Sequence, residues 1–195
     1  PVFAQVSVEV VEDSGDRIVI DYRLDGYDSE PVSIDGKIHE QLEIPGEPVS
    51  YAAGAPALPF VHRSVIIPDT AAMRVRVLSK DYEERRADVA PSKGLLPRSV
   101  DPATVPYRFG ETYQQDRMRP DTLASLGAPY VLRDHRGVVV QLRPFQYNPV
   151  TRVLRIHTAM RVELRAVGTS TVNVPDRCLP RVPVQAFVAI YVLFF

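Results

Sequence analysis

Residues 138–167 read VVVQLRPFQYNPVTRVLRIHTAMRVELRAV, and this run decides the fold class. From Arg152 onward apolar residues recur at every second position, through Leu154, Ile156, Met160, Val162 and Leu164. A period of two places them on one face of a half-buried strand. Tyr147 to Pro149 marks a turn before it. Just upstream, YVL at 130–132 and VVVQLRP at 138–144 flank RDHRG, which predicts a strand, a tight connection and a second strand.

Outward from there, the same period returns. Residues 6–10 alternate, the turn signal DSGD follows, and RIVIDYRL at 17–24 alternates again, so the two runs read as a hairpin. Residues 32–44 fit a short strand pair about Asp35-Gly36, a tight-turn dipeptide. A strand is expected at 61–67, ended by Pro68, and another at 73–78, MRVRVL, with Arg74 and Arg76 on its solvent face. The charged stretch 80–89 fits one helical turn or an edge strand. Residues 120–127 are expected to hold a single helical turn, capped by Asp121 and stopped by Gly127. Many short strands with frequent turn signals predict an all-β, antiparallel β-sandwich, jelly-roll-like, with long ordered loops. The expected sandwich spans 1–167, and 168–195 is expected to be a linker or a non-native tail. That tail ends in an apolar run at 186–195, too short to span a bilayer as a helix.

Composition bounds the function. Lys and Arg number 23 against 24 Asp and Glu, for a net charge of -1 over 195 residues. No overall field draws such a chain to nucleic acid or to an anionic membrane. Eighteen prolines without a tryptophan suit a loop-rich β protein. Cys178 is the only cysteine, so an internal disulfide and a cysteine zinc site are both out of reach.

Two long segments break the pattern. Residues 45–59 are rich in proline, glycine and alanine and are expected to form an ordered surface loop. Residues 91–106, PSKGLLPRSVDPATVP, carry four prolines around a solitary arginine, Arg98. Proline fixes φ, removes a donor and biases its predecessor toward extended geometry. The result is a stiff loop that holds Arg98 in one shape, and a loop of this length usually has a task.

No GxSxG, HExxH, CxxC or glycine-rich phosphate loop is present. His39, His62, His135 and His157 fall mostly inside strand-like runs, away from Cys178, so nothing suggests an activated thiolate. Cofactors and metals are therefore expected to be none. Tyr107, Phe109 and Tyr113 are read as packing residues rather than a stacking platform.

Three stretches carry a family resemblance. GAPALPFVHRSVIIPD at 54–69, VAPSKGLLPRSVDPATVPY at 89–107 and PYVLRDHRGVVVQLRPFQYNPVTRVLRIHTAMRVEL at 129–164 resemble the N-terminal propeptide of gingipain-type cysteine peptidases, family C25. The resemblance implies a non-catalytic β-sandwich prodomain that keeps a caspase-like cysteine peptidase domain latent and assists its folding. It implies a secreted or cell-surface protein whose leader is not part of this chain. It also implies that a basic residue on a prodomain loop enters the specificity pocket of the peptidase, and Arg98 matches that position, supported by Lys93, Gly94, Pro97 and Ser99. Arginine rather than lysine there suggests an arginine-directed partner. Arg133 and Arg136, on what reads as an exposed turn, are secondary candidates with structural or rim roles. Two rival readings stand beside this one: a free-standing adhesion or carbohydrate-binding module, and an enzyme built on Cys178.

Overall fold

The computed structural model describes residues 6–175. Its strands, in chain order, are β1 (Val6–Asp13), β2 (Arg17–Leu24), β3 (Asp28–Ile34), β4 (Lys37–Glu43), β5 (Val61–Ile66) and β6 (Ala71–Arg86). After a long excursion come β7 (Ala124–Leu126), β8 (Tyr130–Leu132), β9 (His135–Leu142), β10 (Phe145–Asn148) and β11 (Val153–Thr169). Cys178 and the apolar run at 186–195 lie outside the described residues.

The longest strand, β11, organises the larger sheet. One edge pairs with β6 along its whole length, and the other pairs first with β10 and then with β2, which pairs in turn with β1. All of these pairings are antiparallel. The alternation read from 152 onward is realised: Leu154, Ile156, Met160, Val162 and Leu164 are all buried. The second sheet is built on β9, with β5 on one edge and β8 and β7 on the other. Val61 and Val65 of β5 and Val138, Val140 and Leu142 of β9 meet the β2 and β11 side chains in one core. Two antiparallel sheets closed over a shared apolar layer make the sandwich that the period-two pattern predicts. The β3–β4 hairpin caps one end, with Asp35 and Gly36 at φ of 50° and 77° in its turn, and Leu42 and Ile44 reach the core.

Several expectations are corrected. Residues 120–127 are not helical: Ala124–Leu126 is a strand on β9, Leu123 is buried, and Asp121 pairs with Arg119 at 2.6 Å. Burial of Leu123 and Ala124 against the sandwich overrides the helix-cap signature. Of the two forms expected for the charged stretch 80–89, the edge strand is the one found, as β6 continues through Arg86. The segment 45–59 is a surface loop only as far as Ala53: Gly54 and Pro56 to Pro59 are buried.

The core also holds a buried polar chain. His157 is fully buried, its Nε2–H donates to Gln146 Oε1 at 3.0 Å, and Gln146 Nε2 donates to the Pro120 carbonyl at 2.8 Å. Burial first, then the Lys80 and Arg155 charges, push the His157 pKa down to about 4.

Candidate functional site

The loop that carries Arg98 grows out of a stem of paired backbones. The Ala90 N–H donates to the Glu40 carbonyl at 2.9 Å, the Ala57 N–H to Ala90 at 3.0 Å and the Ser92 N–H to Ala55 at 2.7 Å. The Gly54 N–H returns a bond to the Ser92 carbonyl at 2.9 Å, and the Gly110 N–H donates to Gly54 at 2.8 Å. Residues 54–57 therefore lie between the outgoing and returning limbs of the excursion. Small residues permit this: a Cβ on Gly54 would stand 3.0 Å from the Gly110 nitrogen. The paucity of large side chains in 45–59 is thus a packing device, in which buried backbone groups satisfy one another.

Above the stem the loop is closed at its neck. Ser92 Oγ donates to the Ser50 carbonyl at 2.6 Å and accepts from the Gly94 N–H at 3.1 Å. Gly94 turns the chain at φ 83°, with Ala53 packed 3.0 Å from where its Cβ would be. Lys93 Nζ donates to the Pro102 carbonyl at 2.7 Å and lies 4.2 Å from the centre of the Tyr107 ring, a hydrogen bond reinforced by a cation–π contact. On the returning side Asp101 caps a single 3-10 turn, Pro102–Thr104, its carboxylate accepting from the Ala103 N–H at 2.9 Å. That helical turn departs from the expectation that no helix forms in this loop, and Asp-Pro is its cap-and-N1 signature.

The tip is a β-turn. The Val100 N–H donates to the Pro97 carbonyl at 2.9 Å, which places Arg98 and Ser99 at its two central positions. Pro97, Arg98 and Ser99 are all exposed, and no ion pair among the described residues involves Arg98. Leu95, three residues earlier, is 77% exposed, the most open of the large apolar side chains described. The expected supports fall into distinct places. Lys93 and Gly94 build the neck, Pro97 and Ser99 the turn itself. Sequence reading missed Ser92, Asp101, Tyr107 and Leu95. Of these, only Asp101 carried a local signal.

The two secondary candidates separate. The β8–β9 connection is a two-residue turn, with Leu132 facing His135 in register and Arg133 at its tip at φ 54°. Arg133 is exposed. Arg136 is not on the turn at all: it sits within β9 at 0% exposure. Its guanidinium donates to the carbonyls of Ala71 at 2.8 Å, Pro68 at 3.2 Å and Val172 at 3.0 and 3.2 Å. The expectation of an exposed Arg136 is overturned by the tighter turn, which brings residue 136 into the strand and onto its inward face. Arg136 is a structural pin between β9, the β5–β6 connection and the chain after β11.

Phe109 and Tyr113 meet edge to face at 4.8 Å, and the Tyr113 hydroxyl donates to the Val89 carbonyl at 2.9 Å. These rings pack on one another and on the stem. Among the described residues no cluster of His, Cys, Asp and Glu could hold a metal ion, and no helix is long and apolar enough to cross a membrane.

A family model described as Propeptide_C25 matches residues 4–191. The chain belongs to that propeptide family. Gingipain R1 of Porphyromonas gingivalis is 41% identical to this C25 propeptide over 125 residues, which is 64% of the chain and 13% of the relative. Gingipain R2 of the same species is 41% identical over 124 residues, 62% of the chain and 17% of the relative. The chain thus spans under a fifth of the length of these curated relatives. Among solved structures it is similar to a chain of the complex of Porphyromonas gingivalis RgpB pro- and mature domains. The TM-score is 0.82 and the identity 30%, over 86% of this chain and 88% of that one. A structure concerned with the zymogenic latency of gingipain K from the same species shares the fold at a TM-score of 0.66 and 18% identity, over 84% and 100% of the two chains.

Proposed function

We propose that this C25 propeptide holds a gingipain-like, arginine-directed cysteine endopeptidase domain latent by seating Arg98 in its specificity pocket, and that it assists the folding of that domain outside the cytoplasm. The observation that carries the reading is the tip of the 91–106 loop, where an exposed guanidinium without an ion pair stands on a turn whose neck is closed by Lys93. A loop ordered in advance loses little conformational freedom on docking. A guanidinium that meets a carboxylate in a water-poor pocket makes charge-assisted, bidentate hydrogen bonds. Leu95, exposed three residues before Arg98, offers an apolar contact from the same loop. The RgpB pro-domain is found in complex with its mature domain, and that precedent supports a peptidase domain as the partner of this chain.

Titration of a gingipain-like arginine-directed peptidase with the isolated chain tests the reading. The native chain is expected to inhibit, and Arg98→Ala to weaken inhibition by a factor of about 30 or more, since truncating one side of a buried charge pair costs roughly 2–5 kcal/mol. Arg98→Lys is expected to fall between them, because a point charge replaces the planar fork. Undiminished inhibition by Arg98→Ala would remove Arg98 from the role. Absence of inhibition by any form would return the binding-module reading to first place.

A further inference from the structure

Beneath the loop stem lies a cavity of about 580 Å³, a size that suits a small organic ligand. Its apolar wall includes Tyr51, Leu58, Phe60 and Phe145. Tyr51 meets Phe60 edge to face at 6.2 Å, so the rings form a slot rather than a flat platform. The lining also includes two cationic side chains, Arg119 and Arg143.

Among the described residues, only one of these two arginines has a counter-charge. Arg143 donates through Nη1 to Ser125 Oγ at 3.0 Å and through Nη2 to Gln141 Oε1. Both partners are neutral, no ion pair among the described residues involves Arg143, and burial alone lowers its pKa. Arg119 pairs with Asp121 through Nη1 at 2.6 Å and donates through Nη2 to Gln115 Oε1 at 3.4 Å. A half-buried guanidinium without a counter-charge is a costly arrangement, and an anion placed beside Arg143 would relieve it.

We propose that this cavity is a binding site for a small organic acid, with an apolar body about one aromatic ring across seated between Tyr51, Phe60 and Phe145. Its carboxylate accepts from Arg143, and Arg119 adds a second positive charge to the same lining. The site does not depend on the inhibitory role of Arg98. It shares Ser50 and Ala55 with the stem of the Arg98 loop, so occupancy also bears on the segment that braces the loop.

The test is an NMR titration of the full chain with 4-phenylbutyrate, its neutral amide and acetate. The carboxylate is expected to give saturable shifts centred on the residues lining the cavity. The amide and acetate are each expected to bind about tenfold more weakly or worse, since one loses the charge-assisted bonds and the other the apolar seat. Arg143→Gln is expected to cost about tenfold in affinity for the carboxylate, while Arg98→Ala leaves it unchanged. Equal binding of amide and carboxylate, shifts centred elsewhere, or no saturable response to the carboxylate would each overturn the proposal. The comparison of probes uses the native chain and so stands even if Arg143→Gln folds poorly.

Discussion

Arg98 and Arg136 occupy turn-rich stretches that look alike in composition, and the fold treats them oppositely. Around Arg136 the chain supplies three carbonyls, from Pro68, Ala71 and Val172, and removes the side chain from water. Around Arg98 it supplies no ion pair and a turn with its side chain exposed. The difference teaches that the role of an arginine here is set by the backbone acceptors that converge on it. The first guanidinium is consumed in holding the sandwich together, while the second is left exposed and, among the described residues, without an ion pair.

The strongest way to break this contrast is to remove the buried one. Arg136→Met leaves three carbonyls without their donor, each costing about 1–3 kcal/mol when buried. A net loss of about 4 kcal/mol is expected, near 10 °C in melting temperature for a domain of this size. Arg98→Ala, by contrast, is expected to shift stability by less than about 0.5 kcal/mol. Thermal unfolding of the two variants side by side checks both. A stable Arg136→Met would mean that the carbonyls find other donors and that the pin is dispensable.

How far this contrast was legible from sequence depends on the distance over which it is specified. β2 was bounded correctly at 17–24 and the core face of β11 was read residue by residue, because a period of two is a local property of the chain. The exposure of Arg98 was legible for a similar reason: Pro97 and its neighbours stiffen the loop locally. Arg136 was misread because a two-residue turn rather than a five-residue one decides its face, and the acceptors that hold it come from 36 to 68 positions away. The burial of 54–59 was illegible too, since its partner backbone at 90–92 and 110 is distant in sequence. In 120–127, a valid cap signature lost to packing that only the assembled sheet supplies.

A second contrast concerns acid. The buried side of the molecule contains His157, whose folded pKa of about 4 lies below its ordinary value near 6.5. Between these values the unfolded chain binds the extra proton, so stability rises with pH through this window. The contribution of His157 is complete above about pH 6.5 and is lost as the pH falls toward 4. Asp21, Glu40 and Glu163 are held below the usual carboxylate range by the arginines they accept from, and their contributions fade at lower pH still. Urea unfolding at pH 7 and pH 4.5 is expected to differ by roughly 2 kcal/mol. His157→Gln is expected to flatten most of that difference, and an unchanged slope would assign it elsewhere.

Substitution at the neck sharpens the loop side of the comparison. Gly94→Ala forces a Cβ into the left-handed region and to within 3.0 Å of Ala53 Cβ, a strain of about 1–2 kcal/mol. The stem either yields or the turn reorients. Weakened inhibition is expected with only a modest fall in melting temperature. Inhibition unchanged from the native chain would show that the neck does not govern how the tip is presented.

The smallest effect isolates preorganisation from contact. Lys93 does not share the tip with Arg98. It spans the neck, from the outgoing limb to the Pro102 carbonyl and the Tyr107 ring on the returning one. Both groups stay accessible enough to be rehydrated, so Lys93→Met is expected to cost the folded state only about 0.5–1 kcal/mol. Its consequence for inhibition differs in kind from that of Arg98→Ala. With the neck unclosed, residues 94–101 sample more conformations when free, and that freedom must be lost on docking. Inhibition is expected to weaken by roughly three- to tenfold, while Arg98→Ala in the Lys93→Met background removes the remainder. Order parameters for the 94–101 amides are expected to fall in Lys93→Met and to stay at native values in Arg98→Ala. If Lys93→Met weakened inhibition with the loop as rigid as before, Lys93 would itself be touching the partner, and the division between a neck that orders and a tip that binds would fail.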